Sequence, residues 1–131
     1  MTDLELVKKA LEMRQYAYAP YSHFAVGAAL LCDDGRVFTG CNVENAAYGS
    51  TICAERTALL KAISEGCRQG WQTIAIAGSG VDYCWPCGSC RQMLYEFAPE
   101  LRVLAVRENG DYQEMKLSQL LPNGFGPSAL E

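Results

Sequence analysis

Two short cysteine motifs constrain this chain more than any other feature. Cys53-Ala54-Glu55 sets a thiol two residues from a carboxylate, and Pro86-Cys87-Gly88-Ser89-Cys90-Arg91-Gln92 follows about thirty residues later. Structural zinc is usually closed by four protein ligands, whereas catalytic zinc holds three and leaves the fourth position for water. Cys53, Cys87 and Cys90 make three thiolate ligands, and Glu55 adds an acid/base group that need not bind metal. Any fold of this chain must bring residues 53, 87 and 90 to one point. Cys84-x-x-Cys87-x-x-Cys90 contains two overlapping pairs, so spacing alone leaves open which pair binds. The single histidine, His23, lies in a Pro20-Tyr21-Ser22-His23 loop with no spacing partner. The fourth position therefore falls to a water, which zinc acidifies to about pH 7.

The surrounding pattern alternates helix and strand. Met1 to Ala19 reads as an amphipathic helix, with Leu4, Val7, Ala10, Leu11, Met13, Ala17 and Tyr18 at helical spacing and Thr2 or Asp3 as cap. Phe24 to Cys32 and Arg36 to Asn42 read as strands joined by an Asp33-Asp34-Gly35 hairpin, with Asn45 to Ser50 as loop. Thr51 to Glu65 fits a helix closed by Gly66, with Cys53 in its first turn. Thr73 to Gly78 is a short apolar strand, and Cys87 to Phe97 is a helix that again opens at its cysteines. Arg102 to Arg107 and Tyr112 to Lys116 pair across an Asn109-Gly110 turn, Leu117 to Leu121 is a short helix, and Pro122 to Glu131 is a tail. Helix N-termini carry unpaired N–H groups and partial positive charge, which favour ionised thiols at both helix starts. A strand, helix, strand succession implies a right-handed crossover and a partly parallel sheet covered by helices, hence an α/β three-layer sandwich.

Composition narrows the classes. The chain has 131 residues, half of them hydrophobic, which suits one domain spanning 1–131 with one core. Acids outnumber bases, 15 to 11, and the net charge is −4, which argues against a nucleic-acid partner and for a small free substrate. No apolar stretch approaches the roughly 20 residues that cross a bilayer. Met1 to Glu5 lacks the basic start and apolar middle of a signal peptide, so a cytoplasmic location is expected, with no membrane partner. Seven cysteines, an odd number, then point to metal or reactive thiols more than to disulfides. Cys32, Cys41 and Cys67 sit in or beside apolar stretches and read as small buried hydrophobes.

Four ordered stretches resemble one family. Pro20 to Leu30 (PYSHFAVGAAL), Gly40 to Tyr48 (GCNVENAAY), Cys53 to Leu59 (CAERTAL) and Pro86 to Phe97 together resemble the small homotetrameric zinc-dependent cytidine deaminases, from the first helix to Phe125. The resemblance selects Cys87 and Cys90, with Cys53, as ligands of one zinc per subunit, and leaves Cys84 as a spare thiol. It implies a mixed five-stranded sheet. It also implies hydrolytic deamination of cytidine and 2'-deoxycytidine in pyrimidine salvage, with Glu55 carrying protons from water to N3 and to the departing amine. By the same resemblance Arg56 supports the thiolates, and Phe24 sits against the base while the Ala54 N–H meets its carbonyl. Asn42 and Glu44 grip the ribose hydroxyls, being on one face of an extended segment. Tyr48 and Phe125 reach a neighbouring subunit's site, which implies a homotetramer with shared sites. The unusual Cys84-Trp85 pair before Pro86 departs from the family pattern.

Three other readings compete. A deaminase of a related nucleoside antibiotic would keep every motif. A structural zinc or iron–sulfur protein would close its shell with Cys53, Cys84, Cys87 and Cys90, but that gives Glu55 no purpose and lacks the following Cys-Pro of a ferredoxin run. A nucleic-acid-editing deaminase would need a basic groove, which the charge balance does not supply.

Overall fold

The computed structural model describes residues 1–130; Glu131, the last residue of the expected tail, lies outside the described residues. Helix α1 (Asp3–Met13) is followed by strands β1 (Gly27–Cys32) and β2 (Val37–Cys41), helix α2 (Ala54–Ser64) and strand β3 (Trp71–Ala77). Helix α3 (Gly88–Phe97), strands β4 (Arg102–Val106) and β5 (Tyr112–Lys116) and helix α4 (Leu117–Leu120) complete the order. The five strands form one sheet in the order β2-β1-β3-β4-β5. Only β3 and β4 are parallel, and α3 provides the crossover that a parallel pair needs. The expected mixed five-stranded α/β sandwich is what forms.

Alternating side chains divide the core into two layers. Leu30, Ile74, Ile76 and Val103 face α2, α3 and α4, while Ala29, Ala75, Leu104 and Val106 face α1. The small alanines on the α1 side let that helix lie close. A Cβ on Gly27 would come within 2.0 Å of the Ala10 carbonyl oxygen, so glycine is required there. Arg102 ties the start of α1 to the sheet edge, donating to Asp3 Oδ2 at 2.7 Å and to Glu114 Oε1 at 2.8 Å. These pairs are partly exposed and worth about 1 kcal/mol or less each, so apolar burial dominates.

Where elements end differs from the sequence expectation for identifiable reasons. Helix α1 stops at Met13, a short 3₁₀ turn runs to Tyr16, and the chain then extends. Tyr18 donates its N–H to the Asn42 carbonyl at 2.9 Å and accepts from the Glu44 N–H at 2.8 Å, and this pairing replaces further helix. Strand β1 begins at Gly27 and not at Phe24. The Asn42 amide accepts from the Val26 N–H and donates to the Phe24 carbonyl, both at 2.8 Å, so a side chain stands where a ladder partner would be. Thr2 caps α1, and Gly35 at φ 89° makes the hairpin turn. The expected loop 45–50 contains a 3₁₀ turn at Tyr48–Ser50, and the tail contains another at Pro127–Leu130.

Candidate active site

The two helices that open at cysteines bring their N-caps together. Cys53 lies one residue before α2 and is its N-cap, in extended conformation, not in the first turn as expected from the sequence. Cys87 is the N-cap of α3, and Cys90 is the third residue inside it. The Cys53 and Cys87 sulfurs are 3.9 Å apart, those of Cys87 and Cys90 3.4 Å, and all three lie within 4.8 Å of one another. Zinc–thiolate bonds of about 2.3 Å in tetrahedral directions place sulfurs about 3.8 Å apart. The cluster therefore fits zinc. Cys84 and the exposed His23 stand outside it, so among the described residues three thiols, and not four, converge.

Charge at the cluster is unevenly held. The Cys90 thiol beside Cys53, together with Cys87 and the Arg56 guanidinium, lowers Cys53 to about 6 against the opposing effect of burial. Cys90 is pushed far up, first by its thiolate neighbour Cys53 and then by burial. Glu55 is buried, and burial raises its carboxyl to about 7. Cys84 is pushed up to about 12, by burial first and then by the charges of Glu55 and Cys53. A metal that binds thiolates must release protons from this cluster.

A cleft of about 190 Å³ opens onto Cys53 and Cys87 and is lined also by Val26, Asn42, Thr51, Ala54, Glu55, Cys84 and Trp85. A second cleft of about 370 Å³, lined by Tyr21, Ser22, Glu44, Tyr48 and Thr51, adjoins it at Thr51. Asn42 keeps one donor and one acceptor position after its two backbone bonds. Glu44 accepts from the Ser22 hydroxyl and the Ser22 and Tyr21 N–H groups, which hold its carboxyl below the usual range. Phe24 is outside both linings; its ring packs over Gly78 and Gly80, where a Cβ on Gly78 would meet it at 2.8 Å.

Arg56 donates to the Ser89 hydroxyl, between Cys87 and Cys90, and its buried Nε has no partner among the described residues. It lies near enough to lower both Cys53 and Glu55. Arg56→Ala should lower turnover more than zinc content, because it removes positive charge beside the thiolates without removing a ligand. Wild-type turnover at full zinc occupancy would contradict that expectation, read by rate and metal content on the same sample.

Tyr48 is 76 % exposed and Phe125 58 % exposed. The backbone of Gly124 and Gly126 packs on the Tyr95 ring, where a Cβ on Gly124 would fall at 2.7 Å, and the Phe125 carbonyl accepts from Gln92 Nε2 at 2.8 Å. The tail is thus anchored through its glycines while the aromatic side chain is left outward. Sequence reasoning missed Val26, Thr51, Trp85 and Ser89. Only Trp85 carried a signal, as a bulky residue next to the metal motif.

The comparisons agree with this geometry. Residues 1–106 match the family model for the cytidine and deoxycytidylate deaminase zinc-binding region. A cytidine deaminase of Halalkalibacterium halodurans is 50 % identical over 121 residues, covering 92 % of this chain and 91 % of that protein. The crystal structure of a cytidine deaminase from Burkholderia pseudomallei superposes with a TM-score of 0.92 at 46 % identity, covering 95 % of this chain and all of the other. A Mycobacterium tuberculosis cytidine deaminase gives a TM-score of 0.83 at 41 % identity, covering 96 % and 99 %. From the converging thiols, the sheet order and these likenesses, the chain is an enzyme that belongs to the cytidine and deoxycytidylate deaminase family.

Proposed function

We propose that this protein hydrolyses cytidine and 2'-deoxycytidine to uridine and 2'-deoxyuridine with release of ammonia, using one zinc per subunit held by Cys53, Cys87 and Cys90. The observation that carries the reading is the buried Glu55 carboxyl in a cleft that also reaches Cys53 and Cys87 of the three-thiol cluster. Zinc held by Cys53, Cys87 and Cys90 would supply a nucleophilic water acidified to about pH 7. Glu55 holds and moves the protons: one proton of the attacking water goes to N3 and the other to the departing amino group, so one water is consumed and one ammonia leaves. Its raised carboxyl, near 7 before any metal charge acts on it, suits a group that must both accept and donate.

The remaining residues bind and orient. The Ala54 N–H meets the base carbonyl, with Ala54 at the first position of α2. Phe24 borders the base from its shelf on Gly78 and Gly80. Asn42 uses its spare donor and acceptor at the ribose hydroxyls, and the ionised Glu44 accepts from them. Arg56 offsets the charge of three thiolates on a divalent ion. The outward Tyr48 and Phe125 support a homotetramer in which each reaches a neighbour's site. The setting is cytoplasmic pyrimidine salvage, with the whole chain as one catalytic domain.

No lysine or arginine lines either cleft among the described residues, and Glu44 brings negative charge to the second. A 5'-phosphate would be unpaired there, so cytidine should exceed CMP in kcat/KM by roughly 100-fold or more. Comparable rates for the two would overturn the nucleoside assignment. Light scattering should give about four times the 14.4 kDa chain mass, and a fully active monomer would remove the roles of Tyr48 and Phe125.

A further inference from the structure

Cys32 and Cys67 are the cysteines that neither the metal cluster nor the cleft uses and that nonetheless touch. Their sulfurs are 2.9 Å apart, and the residues are only 2 % and 4 % exposed. The backbone on both sides is fixed. Cys32 ends β1, and the Asp33 N–H next to it donates to the Gly70 carbonyl at 2.7 Å. Cys67 donates its N–H to the Ala62 carbonyl at 2.8 Å, closing α2, and its carbonyl accepts from the Trp71 indole at 3.1 Å. Reaching a bonded S–S distance of about 2.05 Å therefore needs the sulfurs to approach by under about 1 Å. A cleft of about 260 Å³, lined by both cysteines with Asp33, Arg36, Arg68 and Gln69 among others, gives a small molecule a route to the pair.

We propose that Cys32 and Cys67 form an oxidation site, closing to an intramolecular disulfide with a small peroxide as oxidant. One sulfur attacks a peroxide oxygen, the O–O bond breaks, and a sulfenic acid and one water result. The second thiol attacks that sulfur, the S–S bond forms, and the hydroxyl leaves as a second water. Two thiols are oxidised and one hydrogen peroxide is reduced. The pair bonds across a 35-residue sequence separation. That loop contains β2, Asn42, Glu44, Cys53 and Glu55, whereas Cys87 and Cys90 lie outside it. The closed form restricts the unfolded chain and holds the segment carrying one metal ligand and the acid/base group. Neither sulfur lines the active-site cleft, so turnover is preserved.

The zinc-loaded protein is treated with one equivalent of hydrogen peroxide, alkylated with N-ethylmaleimide in denaturant, and digested with trypsin. Cys32 falls in the fragment 15–36 and Cys67 in 62–68, each with no other cysteine. The expected result is the two fragments joined, two hydrogens lighter than their sum, with zinc retained and kcat within about twofold. The melting temperature should rise by roughly 5–10 °C, and the gain should be absent in Cys67→Ala treated the same way. Recovery of both fragments alkylated overturns the proposal. So does linkage of either fragment to another cysteine, or loss of zinc before the 32–67 link forms.

Discussion

Glu55→Gln should keep its zinc and lose turnover by about 10³-fold or more. The substitution preserves volume and leaves Cys53, Cys87 and Cys90 untouched, so metal content measures whether the site survived. What disappears is the oxygen proposed to carry the protons, and general acid–base catalysis alone is worth roughly 10² to 10⁴-fold. A second reading of the same variant comes from stability. In metal-free protein, burial raises the Glu55 carboxyl from its ordinary 4.5 to about 7. A carboxyl raised on folding favours the protonated folded state, so its stabilising contribution is full below about 4.5 and is lost as pH rises through about 7. Burying the ionised form at pH 8 then costs on the order of 3 kcal/mol. Metal-free Glu55→Gln should accordingly match the metal-free wild type at pH 4 and exceed it at pH 8 in melting temperature. An equal or lower value at pH 8 would show that burial is not what raises this carboxyl.

Gly40→Ala should cost stability and activity together. A Cβ at residue 40 would lie 2.4 Å from the Ala54 carbonyl oxygen and 2.7 Å from the Ala58 nitrogen, both backbone atoms of α2. Neither can rotate away. Helix α2 must lift off β2, and the Thr57 hydroxyl that donates to the Cys41 carbonyl at 3.1 Å must lengthen that bond. Overpacking of this kind costs about 3 kcal/mol. The displaced helix carries Cys53 at its cap and Glu55 in its first turn, so a shift approaching 1 Å also spreads the thiols and costs roughly 100-fold in rate. Gly49→Ala, where a Cβ meets nothing within 4 Å, is the control and should fold as wild type does. Chemical denaturation, zinc content and turnover on both variants decide the matter. Normal stability in Gly40→Ala would mean that α2 is free to move.

Much of this arrangement is legible in the sequence because it rests on local chemistry. Thr2, Gly35 and Gly66 mark element ends through capping and left-handed backbone, and all three do so within a few residues. The two cysteine motifs demanded convergence whatever the fold, and residues 53, 87 and 90 do converge. What escaped was decided at long range. Asn42 replaces strand pairing at residues 24–26 from a position sixteen residues away in sequence, which no local pattern announces. Trp85 and Thr51 enter the cleft only because α2 and α3 meet there, and Ser89 is chosen by Arg56 across thirty-three residues. Gly124 and Gly126 read as simple tail residues until the Tyr95 ring against them is seen. The pair Cys32 and Cys67 looked like isolated small hydrophobes because the sequence gives no sign that the end of β1 meets the end of α2.

The most direct test of the zinc-dependent deaminase account is the fall in ultraviolet absorbance of cytidine with zinc-loaded wild-type protein, with ammonia measured alongside. The account predicts one ammonia per cytidine consumed, arrest when a chelator strips the metal, and recovery when one zinc per chain is restored. Absence of turnover in fully zinc-loaded protein, or undiminished turnover after complete removal of the metal, would contradict it.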